Sequence, residues 1–226
     1  MLMIILGLLF QLNTAQAMVQ RDCLILPKNG CLLMPEGTSQ GLVIYLRGHY
    51  ATFRGHVPEA NRADSIAEAL KVYQLEHLAQ ASGMAIFVSA SSHLSYDNAM
   101  LTKLGQRLQQ STSSPINVYL AAHSGGYRGM FDSLRLLSPS NQQWSIKSLI
   151  MLDNFYSTQV LDLETLRSAH LAGISCHGFF TDHNQKRFEK LYAPLGCQAQ
   201  GPQGFNHVTS VKSCLLDYIQ GADCHP

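Results

Sequence analysis

Ser124 lies in the stretch NVYLAAHSGGYRGM, residues 117–130, between a histidine and two glycines. An apolar run leads into it and a helix-forming stretch follows. A hydroxyl on a tight strand-to-helix turn can act as a nucleophile, because the turn lifts its oxygen off the sheet. Such a turn is strained and crowded, so its neighbours must be small. Here they are Ala122, Gly125 and Gly126, giving A-H-S-G-G where G-x-S-x-G is the usual pattern. The backbone N–H groups just past the serine, that of Gly125 first, can hold an oxyanion as it develops. The implied chemistry is acyl transfer, which also needs a base and a carboxylate that orients it.

The elements that would position these groups follow from hydrophobic periodicity. CLILPKNGCLLM, residues 23–34, reads as two short strands around Lys28-Asn29-Gly30, an N-terminal antiparallel hairpin. Five continuous apolar runs follow at 41–46, 84–90, 116–122, 146–152 and 174–180, each suited to a strand buried on both faces. Helical spacing predicts helices over 62–81, 97–110, 126–137, 160–171 and 208–219. Buried strands alternating with helices imply a three-layer α/β/α sandwich with a mostly parallel sheet. Chemistry in such sheets sits at the carboxyl ends of the strands. The residues just past the third, fourth and fifth runs are Ser124, Asp153 and Asp182.

With these residues the chain resembles the α/β-hydrolase family. The resemblance covers the element order from the hairpin to the last helix, and its specific part is the turn at Ser124 plus an Asp and a His in the right order. It implies a Ser-Asp-His order with the histidine on a loop before the last helix, where His207 sits in GFNHVTSV. It implies an acid after the fifth run, favouring Asp182 in FFTDHN, with Asp153 in LIMLDNFY as the alternative position. A second oxyanion donor is expected from the loop after the run at 41–46. The family often has His-Gly there, whereas this chain has Arg47-Gly48-His49-Tyr50, so the expected N–H pair is Gly125 and His49. The candidate substrate contacts are Arg128, Tyr50 and His123. Arg128, one helical turn past Ser124, either reaches a loop carboxylate or meets an anionic substrate. His123 reads as a pocket or packing residue rather than a base. Arg47, Arg54, His49 and His56 form either a cationic rim or a solvated loop. The short connections leave little room for a lid, so an open, shallow site is expected.

Composition narrows the function further. The chain has 226 residues, is 46% hydrophobic and only 14% charged, and carries a net charge of +1. A nucleic-acid-binding face is therefore not expected. No phosphate-binding or dinucleotide glycine motif occurs, and no C-x-x-C or H-E-x-x-H spacing, so neither cofactor nor metal is expected. MLMIILGLLF is apolar and uncharged, and Ala15 and Ala17 follow in an A-x-A pattern. This predicts a signal peptide over residues 1–17, a single domain over 18–226, and no stable membrane span after cleavage. All six cysteines lie beyond residue 17. An even number in an exported chain suggests disulfides. Many connectivities are open, and proximity suggests Cys23 with Cys31, Cys176 with Cys197, and Cys214 with Cys224. The expected protein is a secreted or periplasmic serine hydrolase acting without a cofactor on a small ester. An envelope peptidase or amidase on a peptide-like substrate, or a catalytically silent binding protein of the same fold, are the alternatives.

Overall fold

A computed structural model describes residues 19–23, 30–48, 62–89, 98–109, 115–137, 143–200, 209–222 and 224. The predicted signal segment lies outside them. The strands are β1 (Gln20–Asp22), β2 (Gly30–Met34), β3 (Leu42–Leu46), β4 (Ala85–Ser89), β5 (Ile116–His123), β6 (Trp144–Leu152), β7 (Ser175–Phe179) and β8 (Gln198–Ala199). The helices are α1 (Arg62–Val72), α2 (Leu75–Ser82), α3 (Asn98–Gln109), α4 (Tyr127–Leu136), α5 (Val160–Leu171), α6 (Asp182–Arg187) and α7 (Thr209–Ile219).

One sheet of eight strands runs in the order β1-β2-β4-β3-β5-β6-β7-β8. β2 is antiparallel to β1 and to β4, and all other pairs are parallel. The central strands alternate side chains between two buried faces. On β3, Leu42, Ile44 and Leu46 join one apolar cluster while Val43 and Tyr45 join the other. The first cluster is closed by α3, α4 and α5, through Leu104, Met130, Phe131 and Leu166. The second is closed by α1, α2 and α7, through Ile66, Leu78 and Leu215. This is why the strands read as unbroken apolar runs.

Four elements differ from the sequence expectation. The first strand of the N-terminal pair precedes Cys23 rather than following it, with Gln20 opposite Met34 and Asp22 opposite Leu32. A polar edge strand carries no apolar signature, and Arg21 instead ion-pairs with Glu76. The predicted helix over 62–81 is two helices, broken where Gln74 takes a left-handed φ of +51° with no glycine or proline to mark it. α6 and the two-residue β8 were not expected.

The three suggested disulfides are all present: Cys23–Cys31, Cys176–Cys197 and Cys214–Cys224. Among the described residues, no helix is long and apolar enough to cross a membrane. At its carboxyl end, α7 is tied down by Tyr218 Oη, 2.7 Å from Ser148 Oγ midway along β6. Gln220 Nε2 donates to the Ala81 carbonyl, 3.0 Å away, just before β4 begins.

Leu120 is fully buried in the central strand β5. Leu120→Ala is expected to cost about 3 kcal/mol, read as a lower urea midpoint with unchanged slope. Burial lowers the pKa of His177 below its ordinary 6.5, so the folded chain favours the neutral ring. That contribution is full above pH 6.5 and is lost as pH falls through the depressed folded value. Melting temperature should fall on acidification over that window, and His177→Gln should flatten part of the slope.

Candidate active site

The serine turn is built by close backbone approach. β5 ends at His123, and Ser124–Gly126 form a single 3-10 turn before α4 begins at Tyr127. Ser124 has a φ of +50°, in the left-handed region that side chains with a Cβ seldom occupy. β3 lies beside β5 with Leu46 opposite Ala122, so the chain leaving β3 crosses the turn. A Cβ on Gly126 would fall 2.8 Å from the Leu46 carbonyl carbon and closer still to its oxygen. A Cβ on Gly48 would fall 2.5 Å from Ser124 Cβ and 3.1 Å from Ser124 Oγ. Gly48 thus lets the backbone run directly against the hydroxyl, and Gly125 is buried just past it. The sequence reading singled out Gly126 but gave Gly48 no such role.

Asp153 leaves β6 at the level where Ser124 leaves β5, because the preceding residues His123 and Leu152 are Cα partners. It too has a left-handed φ, +48°, and it is buried. Its N–H donates to the Phe179 carbonyl at 2.7 Å, continuing the ladder to β7. Its Oδ1 accepts from the Thr181 N–H at 3.1 Å, Thr181 Oγ1 at 3.1 Å and Asn184 Nδ2 at 2.6 Å. Three donors on one oxygen fix the carboxylate's orientation. Thr181 and Asn184 flank Asp182 in sequence and went unnoticed there, since only the fold brings them to Asp153.

The loop carrying Asp153 is anchored downstream. Phe155 is fully buried, edge-on to Phe180, Phe188 and Tyr192 at 5.8, 5.2 and 5.1 Å between centroids. Tyr192 Oη donates to the Ser157 carbonyl at 2.9 Å, and burial raises the Tyr192 pKa, keeping it a donor. Asn154, between Asp153 and Phe155, is fully buried, and neither side-chain amide atom has a hydrogen-bond partner among the described residues.

The other sequence candidates have varied surroundings. Asp182 is exposed in the first turn of α6, a favourable place for any carboxylate. His123 is buried and packs edge-on to Tyr73 at 5.5 Å. Arg128 is exposed, with its guanidinium 5.6 Å from the centre of the Tyr127 ring. Arg47 is buried rather than part of a cationic rim: its N–H donates to Ser89 Oγ at 3.2 Å and its Nε to the Ser89 carbonyl at 3.1 Å. His49, Tyr50, Arg54, His56 and His207 lie outside the described residues. Tyr127 and Tyr156, three residues beyond Ser124 and Asp153, bring their rings to 6.2 Å, an aromatic pair that sequence reasoning missed. Among the described residues, no group of three or more metal-ligating side chains comes together.

No family model matches the chain. No curated protein matches it either. Among solved structures it is similar to FphF, a fluorophosphonate-binding serine hydrolase of Staphylococcus aureus in a substrate-bound state. The identity is 12% over 90% of this chain and 96% of that one, with a TM-score of 0.54. A ferulic acid esterase aligns at 12% identity over 84% of this chain and 90% of its own, TM-score 0.45. LpqC, a poly(3-hydroxybutyrate) depolymerase from Bordetella parapertussis, aligns at 11% over 92% of both chains, TM-score 0.37. At such identities the likeness is one of fold, and the assignment rests on the first of these. The chain has an α/β-hydrolase fold.

Gly126→Ala sets a methyl group against a backbone carbonyl that cannot swing away, and should cost about 3 kcal/mol. Gly48→Ala meets Ser124 Cβ at 2.5 Å and the His123 carbonyl oxygen at 2.9 Å, neither of which moves without the backbone, and should also cost about 3 kcal/mol. Chemical denaturation of the two variants checks both losses.

Proposed function

We propose that the chain is an exported serine hydrolase that cleaves carboxylic esters through an acyl-enzyme. The observation that carries this reading is the pairing of Ser124 and Asp153. Both have left-handed backbone and both are the first residue past neighbouring parallel strands. Neighbouring strands lie about 4.8 Å apart, a separation that one imidazole between the two side chains can bridge.

In this reading Ser124 is the nucleophile, His207 the base and Asp153 the acid. Burial, a fixed orientation and equal level with Ser124 favour Asp153 over the exposed Asp182. The support for His207 is its position two residues before α7. The carboxyl end of α7 is held at the middle of β6 and near the start of β4. From Tyr218 back to Thr209 the helix rises about 13 Å. From Ser148 to Asp153 the strand rises about 16 Å. A helix lying along the strands from that anchor therefore starts near the rim where Ser124 and Asp153 lie.

The chemistry follows. Ser124 Oγ attacks the ester carbonyl carbon as His207 takes its proton. Asp153 holds the imidazole tautomer and balances its charge. The N–H of Gly125, with that of His49, stabilises the oxyanion. Collapse releases the alcohol, which leaves with the proton from His207. Water then attacks the acyl-enzyme with His207 again as base, freeing the acid and Ser124. The aromatic pair Tyr127 and Tyr156 suits an apolar group of the substrate. Three disulfides suit an oxidising compartment, which supports export.

Labelling with a fluorophosphonate probe tests the reading. The wild-type chain should label at Ser124, while Ser124→Ala and His207→Ala should not. A properly folded wild type that fails to label would overturn the proposal in favour of a silent binding fold. Turnover of a simple aryl ester should drop about 10⁴-fold in Asp153→Asn and stay near wild type in Asp182→Asn. The reverse order would return the acid role to Asp182.

A further inference from the structure

Helix α5 presents an exposed face that matches itself. Its core side is Asp162, Leu166 and Ala169. Opposite them stand Val160, Glu164, Arg167 and Leu171, spaced four, three and four residues apart. That spacing keeps all four within an arc of about 60°. Val160 is 69% exposed and Leu171 80%, with Leu161 beside them at 61%. Glu164 and Arg167 are exposed too. The ion pairs of the described residues join Arg21 to Glu76, Arg107 to Asp22, and Arg135 to Asp132 and Asp162. Neither Glu164 nor Arg167 takes part in them. Beside this stripe lies a groove of about 460 Å³ of mixed character, with Leu134, Ile146 and Leu161 alongside Arg135, Glu164 and Thr165 in its lining.

We propose that this face docks a second copy of the chain, with the two α5 helices antiparallel about a two-fold axis. Placed between residues 165 and 166, the axis sets Val160 opposite Leu171 of the second copy. It sets Glu164 opposite Arg167 of the second copy, and each pairing recurs by symmetry. The order apolar, acidic, basic, apolar is what an isologous antiparallel contact needs, because a two-fold brings residue i to j and j to i. Two exposed aliphatic ends cover each other while two ion pairs fix register and direction. A lipid surface fits worse, since membrane-lying helices place basic residues around an apolar face and not an acid at its centre. The proposal does not depend on the catalytic reading.

Sedimentation equilibrium of the purified chain over about a hundredfold concentration range tests it. The wild type should show a monomer–dimer equilibrium. Glu164→Arg and Arg167→Glu, each placing like charges opposite one another, should each weaken the dimer by about tenfold or more. The double swap restores both pairs and should recover the wild-type constant. Leu171→Glu should give monomer, with an unchanged circular dichroism spectrum because the site is solvent-facing. A wild type that stays monomeric throughout, a dimer indifferent to the single charge changes, or a double swap that fails to recover would each overturn the proposal. Binding to lipid vesicles by a monomeric wild type would do the same.

Discussion

Two backbones that nearly touch set the geometry at the rim of the sheet. The chain leaving β3 passes over the turn that leaves β5, so close that neither Gly126 nor Gly48 has room for a Cβ. This approach follows from the parallel pairing of the two strands, with Leu46 opposite Ala122. If the two segments diverged by an ångström or two, the turn could relax and Ser124 would not need a left-handed φ. Because they do not, α4 starts after only three intervening residues and buries Met130 and Phe131 against the sheet at once. The same packing that closes one core face thus holds the serine. The deviation from G-x-S-x-G at Ala122 costs little, because that residue is still in the strand while the crowding falls at 126 and 48.

The layered fold was legible because both sheet faces are buried, which leaves long apolar runs in β3, β4, β5 and β6. β1 and β8 were not, since a short edge strand such as Gln20–Asp22 faces water and shows no apolar pattern. The break at Gln74 was hidden for another reason: residues on both sides of it bury against one cluster, so the helical spacing runs on through it. At the site, Ser124 was legible from its small neighbours and its strand-to-helix setting. The proposed acid was not: placement after the fifth run favours Asp182 over Asp153, and with two carboxylates following two adjacent strands sequence position barely separates them. What separates them is burial and the donor set, and Thr181 and Asn184 reach Asp153 only across the β6–β7 edge. Likewise Arg47 looked cationic and available until folding buried it against Ser89.

Local conformational cost is unevenly distributed along the chain. Among the described residues, the non-glycine residues with positive φ are Gln74, Ser124 and Asp153. Each such conformation costs about 1–3 kcal/mol, and a chain keeps it only where surrounding structure demands it. Gln74 has a structural use, as the corner between two helices. The other two occupy equivalent positions on adjacent strands, and directly after Asp153 comes Asn154, a buried amide with no partner among the described residues. An orphaned buried amide adds a further penalty of about 1–3 kcal/mol. Among the described residues, the chain leaving β3 and β7 carries no such conformation. A chain free to optimise stability alone would replace Ser124 and Asp153 with glycine and Asn154 with an apolar residue. Three unfavourable choices at two adjacent strand ends are what the proposed catalytic role would account for.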